Sequence, residues 1–188
     1  IMARNENPPF ERGTTFYGGA TIDANDLGGA NLEGQEFEFE DLVTATIGST
    51  KIARSGHKVR CRVVRNGGSA AILPKTITGF TTSTTAGTYG TKATGTVTAG
   101  GVGFPVDEQL PAAGVPVGDL FYVVVGGPAL ISPASGGWTV TVAANDVLSA
   151  LVNKAVTNVL PSGGFVVGRA CSGAATSSTG DITAFIGR

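Results

Sequence analysis

Between Gly34 and Thr46 the chain alternates acidic and aromatic residues, setting Glu36, Glu38 and Glu40 against Phe37 and Phe39. Successive side chains of a strand point to opposite faces, so this pattern predicts a β-strand with one acidic and one aromatic face. A turn is expected around Gly48-Ser49 and Arg54-Ser55-Gly56. After it, Lys58-Val59-Arg60-Cys61-Arg62-Val63 alternates again, now with a basic face, and Asn66-Gly67-Gly68 closes the strand. Ala71-Ile72-Leu73 and Thr76-Ile77-Thr78 predict a short strand interrupted by Pro74, which cannot donate to a ladder and so prefers an edge or a bulge. The longest apolar run, Leu120-Phe121-Tyr122-Val123-Val124-Val125, predicts a core strand that Gly126-Gly127-Pro128 ends and Ala129-Leu130-Ile131 continues. Trp138, Val140 and Val142 then alternate with Thr139 and Thr141, predicting a strand with Trp138 in the core.

In residues 145–160, periodicity and propensity disagree. Val147, Leu148, Leu151, Val152, Ala155, Val156, Val159 and Leu160 recur at helical spacing, yet β-branched residues abound and Ser149, Asn153, Thr157 and Asn158 suit a helix interior poorly. Two strands with a turn near Asn153-Lys154 are therefore expected. The segment 79–103 is rich in threonine and glycine and buries little; it reads as a loop or as thin strands such as Gly95-Thr96-Val97-Thr98. Near the end, Gly164 to Ala170 and Asp181 to Ile186 predict two strands bracketing the loop Ser172 to Gly180. Residues 1–20 show neither period. Their Pro8-Pro9, Phe10, Phe16 and Tyr17 suggest an extended arm whose aromatic residues need a surface, which a neighbouring subunit or the arm's own domain would serve equally.

Composition sharpens this picture. The 29 glycines and 23 threonines among 188 residues favour strands and turns over helices. The expected architecture is all-β: a single β-barrel or sandwich domain over residues 21–188, preceded by the extended arm 1–20. A net charge of -1 gives no global attraction to nucleic acid. No apolar run approaches the roughly 18 residues of a membrane-spanning helix. Neither nucleic acid nor membrane is expected as a partner. The opening Ile1-Met2-Ala3-Arg4-Asn5-Glu6 is polar where a signal peptide would be apolar, so no secretion signal is expected. Cys61 and Cys171 lie far apart with no metal-ligand spacing and read as two buried thiols.

Candidate chemistry is sparse. His57, the one histidine, sits between Gly56 and Lys58, where a solvated ring is expected. On an extended strand it would lie roughly 13 Å from Cys61, too far for a nucleophile and its base. Asp23, Asn25 and Asp26 lack the remainder of a calcium loop, and Asp107-Glu108 reads as an exposed turn. No glycine-rich phosphate loop occurs. No catalytic, cofactor or metal site is therefore assigned. The basic run Lys51, Arg54, Lys58, Arg60, Arg62 and Arg65 lacks the interleaved aromatic residues of a nucleic-acid stacking platform. Pairing with Glu36, Glu38 and Glu40, across strands or between subunits, is the expectation. The candidate partner-contact residues are Phe10, Phe16 and Tyr17 of the arm with Glu36, Glu38, Glu40, Arg60, Arg62 and Arg65.

In the second half, Pro105-Val106-Asp107-Glu108-Gln109-Leu110-Pro111-Ala112-Ala113-Gly114-Val115-Pro116, Gly118-Asp119-Leu120-Phe121-Tyr122-Val123-Val124-Val125, Gly127-Pro128-Ala129 and Val167-Gly168-Arg169-Ala170 form a series of structural phrases. Together they resemble the head-decoration (cement) proteins of tailed bacteriophages. Lys58 to Arg65 with Asn66, followed by Leu73-Pro74-Lys75, is consistent with that group. The resemblance covers roughly residues 34–188 and leaves residues 1–20 and the Thr/Gly-rich segment unmatched. It implies a β-barrel or sandwich on the outer surface of an assembled virion capsid, bound to the major capsid protein, often as a homotrimer over local symmetry axes. The competing expectation is a carbohydrate- or receptor-binding module of a phage fibre or adhesin, with Trp138, Tyr89 or Tyr122 as a sugar-stacking platform.

Overall fold

The uninterrupted apolar run at 120–125 is explained by what lies on either side of it. In the computed structural model, which describes residues 8–16, 32–44, 51–82, 89–94, 102–133, 137–150, 156–157 and 165–187, this run begins the strand Leu120–Ile131. Leu120, Tyr122 and Val124 point into one core, with Phe37, Val59, Cys61, Val63, Trp138, Leu148, Ile182 and Ile186. Phe121, Val123 and Val125 point into a second, with Val64, Ile72, Ala93, Val106, Leu110 and Val115. A strand buried on both faces loses the polar half of its alternation, which is why it reads as continuous apolar sequence.

Ten strands run β1 (Glu36–Thr44), β2 (Lys51–Asn66), β3 (Ile77–Thr82), β4 (Tyr89–Ala93), β5 (Gly103–Pro105), β6 (Leu120–Ile131), β7 (Val147–Ala150), β8 (Val156–Thr157), β9 (Phe165–Ala170) and β10 (Ile182–Ile186). No helix occurs among the described residues. The hydrogen-bonded order is β5-β3-β4-β2-β6-β10-β9-β7-β8, with β1 on the side of β2. All pairings are antiparallel except β2 with β4. Just past β5, a bridge between Val106 and Val123 returns the path to β6, so β2 to β6 wrap the second core. The fold is all-β, with a sandwich or barrel-like domain, as expected.

Several elements differ from the sequence reading in instructive ways. Arg54-Ser55-Gly56 is not a turn between strands but part of the 16-residue β2. Register explains the misreading: Glu40 faces Lys58 while Leu42 faces Ala53, so β2 inserts extra residues opposite Asp41. The Gly126-Gly127 pair does not end its strand. β6 pairs with β2 up to Gly126 and with β10 from Gly127 onward, so the glycines bend it from one partner to the next. Gly127 has a φ of 88°, and a Cβ there would run into the backbone of Lys58.

Trp138 to Val142 alternates in burial but forms no regular strand. Its partner is the loop 174–178, with which it exchanges backbone hydrogen bonds only at Trp138 and Val142, the Thr141 and Thr176 hydroxyls adding one side-chain bond at 2.9 Å. Trp138 is nonetheless 2% exposed, a core residue as expected, with its indole N–H donating to Gly180 O at 2.8 Å. Residues 145–160 do contain two strands, β7 and β8, paired at Ser149–Thr157 and Ala150–Val156. Their turn, and the stretch 95–98, lie outside the described residues. Neither cysteine is in a disulfide: Cys61 is buried, but Cys171, at the mouth of the loop after β9, is exposed rather than buried.

Candidate functional site

The acidic and basic rows sit side by side because β1 and β2 are neighbours in register. Glu36 lies opposite Arg62, Glu38 opposite Arg60 and Glu40 opposite Lys58, with Phe37 and Phe39 turned to the first core. Arg62 donates to Glu36 from Nη2 at 2.6 Å and Nε at 3.0 Å, Arg60 approaches Glu36 at 3.5 Å, and Lys58 pairs with Glu40. Arg65 is drawn away to Glu33 and to Gly118 O. Of the two expectations for these charges, the structure supplies pairing across strands of the same chain. Such solvent-exposed pairs contribute only about 0–1 kcal/mol each and act mainly to fix register.

The described part of the arm lies on its own domain. Phe10 stacks on Tyr122 with ring centroids 4.5 Å apart, and the Tyr122 hydroxyl donates to Phe10 O at 3.1 Å. Burial pushes the Tyr122 phenol well above its ordinary value. Phe16 exchanges two backbone hydrogen bonds with Leu120, yet its ring remains 42% exposed. Tyr17 lies outside the described residues, as do Asp23, Asn25 and Asp26.

A buried charge network was missed from sequence. Asp107 is fully buried and accepts from Arg12 Nε at 2.9 Å, Gly13 N at 3.1 Å and Gln109 N at 3.2 Å. Burial raises its carboxyl above the ordinary value, against the opposing pull of Arg12. Arg54 grips Asp41 through Nη2 at 2.7 Å and Nε at 3.2 Å, and reaches Glu108 through Nη1 at 2.8 Å. Burial tends to lower the Arg54 value, but Asp41 and Glu108 together raise it. Asp107-Glu108 is thus not an exposed turn. It clamps the arm through Arg12 and the β2 insertion through Arg54, while Glu108 also accepts from Leu130 N at 2.6 Å. The available signal was Asp41, which replaces the apolar residue that alternation would put after Glu40.

Little of this resembles reactive machinery. His57 is exposed, its ring edge-on to Phe185 at 5.3 Å. Burial drives the Cys61 thiol far above its usual range, which makes it a poor nucleophile. Among the described residues, no group of three or more His, Cys, Asp and Glu side chains could hold a metal ion. Beside its charged face the surface also carries apolar side chains. Phe16, Ile52, Leu73, Val102, Val117, Val166 and Phe185 are all exposed. Val166 and Phe185 border a groove of about 490 Å³ with Val147 and Arg169. No protein-family model, curated protein or solved structure matches the chain.

Proposed function

We propose that this chain is a structural virion protein that binds the outer surface of a tailed-phage capsid and stabilises it through contacts between subunits. The observation that carries the reading is the division of labour on its surface. On the β1–β2 face most charged side chains, Glu36, Glu40, Lys58, Arg60 and Arg62, pair within the chain, whereas Ile52, Val166 and Phe185 stay exposed on paired strands. A rigid body of that kind gains affinity by burying apolar area against partners, multiplied over many copies on a symmetric shell. The sequence resemblance to head-decoration proteins supplies the partner, the major capsid protein, and the homotrimer over local symmetry axes.

The rival sugar-binding reading has lost two of its three platform residues, since Trp138 and Tyr122 are buried in the first core. Heads assembled without this chain provide the test. Purified protein added back is expected to co-sediment with them at saturable stoichiometry and to raise their disruption temperature. Protein that stays in the supernatant while the heads remain intact would rule the function out.

A further inference from the structure

Strand β1 has β2 on one side and no strand on the other among the described residues. Val63 N donates to Gln35 O at 2.9 Å, and the ladder continues with Phe37 against Cys61 and Phe39 against Val59. Antiparallel pairing alternates, so the N–H and C=O groups of Glu36, Glu38 and Glu40 turn away from β2 towards that open edge. A groove of about 520 Å³ lies here, lined by Glu38, Phe39, Glu40 and Leu42 of β1, by Pro8, Glu11 and Arg12 of the arm, and by Lys58 and Gln109. Its two cations are already paired, Arg12 with Asp107 and Lys58 with Glu40, and Gln109 Nε2 closes the edge at Leu42 O at 2.9 Å.

We propose that this edge is a docking site for one extended strand of a partner protein carrying lysine or arginine at alternate positions. The backbone of such a strand would complete the ladder at Glu36, Glu38 and Glu40. Its cationic side chains would share a face with the glutamates, and its intervening side chains would lie against Phe39 and Pro8. Charge selects this occupant. Glu36 and Glu40 are held by Arg62 and Lys58, whereas Glu38 and Glu11 make no ion pair among the described residues. The same row disfavours a second copy of β1. In any antiparallel register that keeps the faces matched, glutamate sits across from glutamate, and like charges directly opposite are destabilising. The edge thus accepts a basic strand and rejects its own kind, which protects the chain from strand-to-strand aggregation. This inference does not rest on the capsid reading.

The test uses the full chain and three fluorescent heptapeptides: alternating lysine and valine, alternating glutamate and valine, and the lysine peptide N-methylated along its pairing edge. The lysine peptide is expected to bind and to slow amide exchange at Glu36, Glu38 and Glu40. The other two peptides, and the exposed-site variant Glu38→Lys with the lysine peptide, are each expected to bind roughly tenfold more weakly. Failure of the lysine peptide to bind, equal binding of the N-methylated peptide, or exchange protection located elsewhere would overturn the proposal.

Discussion

Replacing Gly127 by alanine probes the point where β6 passes from β2 to β10. Two separable costs arise. The first is conformational: φ is 88°, and an L-residue held in that region costs roughly 1–2 kcal/mol. The second is steric. An added Cβ would press into the Lys58 carbonyl oxygen and stand 3.2 Å from its carbon and 3.3 Å from Val59 Cα, all backbone atoms that no side-chain rotation can clear. Overpacking of that kind costs about 1–3 kcal/mol, so the expected total is about 2–5 kcal/mol. Gly118 isolates the first cost, because φ is 89° but nothing lies within 4 Å of its virtual Cβ. Gly118→Ala should therefore cost only about 1–2 kcal/mol. Gly56→Ala, with neither strain nor contact, should be near neutral. Urea unfolding followed by fluorescence of the buried Trp138 reads all three variants on one scale. The order Gly127 > Gly118 > Gly56 is expected, and a Gly127→Ala variant no less stable than Gly118→Ala would refute the close approach of β6 to β2.

Four further outcomes follow from the packing and the charges. Arg12→Ala strands the fully buried Asp107 carboxylate and should destabilise by about 3–5 kcal/mol in the same urea assay; a loss below 1 kcal/mol would contradict the clamp. Glu36→Ala removes two exposed pairs, with Arg60 and Arg62, and should cost no more than about 2 kcal/mol, so a larger loss would mean the charge face does more than set register. Burial alone would raise the Asp181 carboxyl, but hydrogen bonds from Lys75 at 2.7 Å and Ser132 at 2.6 Å bring it below its ordinary value. Its stabilisation is then present above the unfolded value of about 3.9 and lost as pH falls through the folded one, so Asp181→Asn should flatten stability against pH in that acid window. In the native protein a thiol reagent should label the exposed Cys171 and spare the buried Cys61, and fast modification of both would place Cys61 wrongly.

Where alternation was strict, the chain's sequence led directly to its elements. Glu36 to Glu40 became part of β1, because one face meets a core and the other does not, and Phe165 to Ala170, expected as a strand without strict alternation, became β9. The paired strands β7 and β8 followed from β-branched content overriding a helical period. What stayed hidden depended on distant partners. Nothing local says that the residues opposite Asp41 bulge without leaving the strand, because the cause is a carboxylate reached by Arg54 and Ser55. Nothing local says that Gly126-Gly127 redirects a strand, because that needs β10. Trp138 to Val142 misled because burial can alternate without a ladder when the partner is a loop.

The candidate site was half legible. The charged rows were visible as faces, and their adjacency through β1 and β2 was among the alternatives weighed. The arm's seat was not visible, since Arg12 and Asp107 are ninety-five residues apart and meet only in the folded chain. Deleting residues 1–18 takes away Phe10 and Arg12 together and should therefore weaken the isolated domain itself.

A reconstruction of the assembled particle at side-chain resolution tests the central claim most directly. The account predicts this two-core body on the outside of the head, clustered at local symmetry axes, with exposed apolar residues such as Phe185 or Val166 buried against neighbouring subunits. Finding the chain only in the tail or fibres, or no copy of it on the particle, would contradict it.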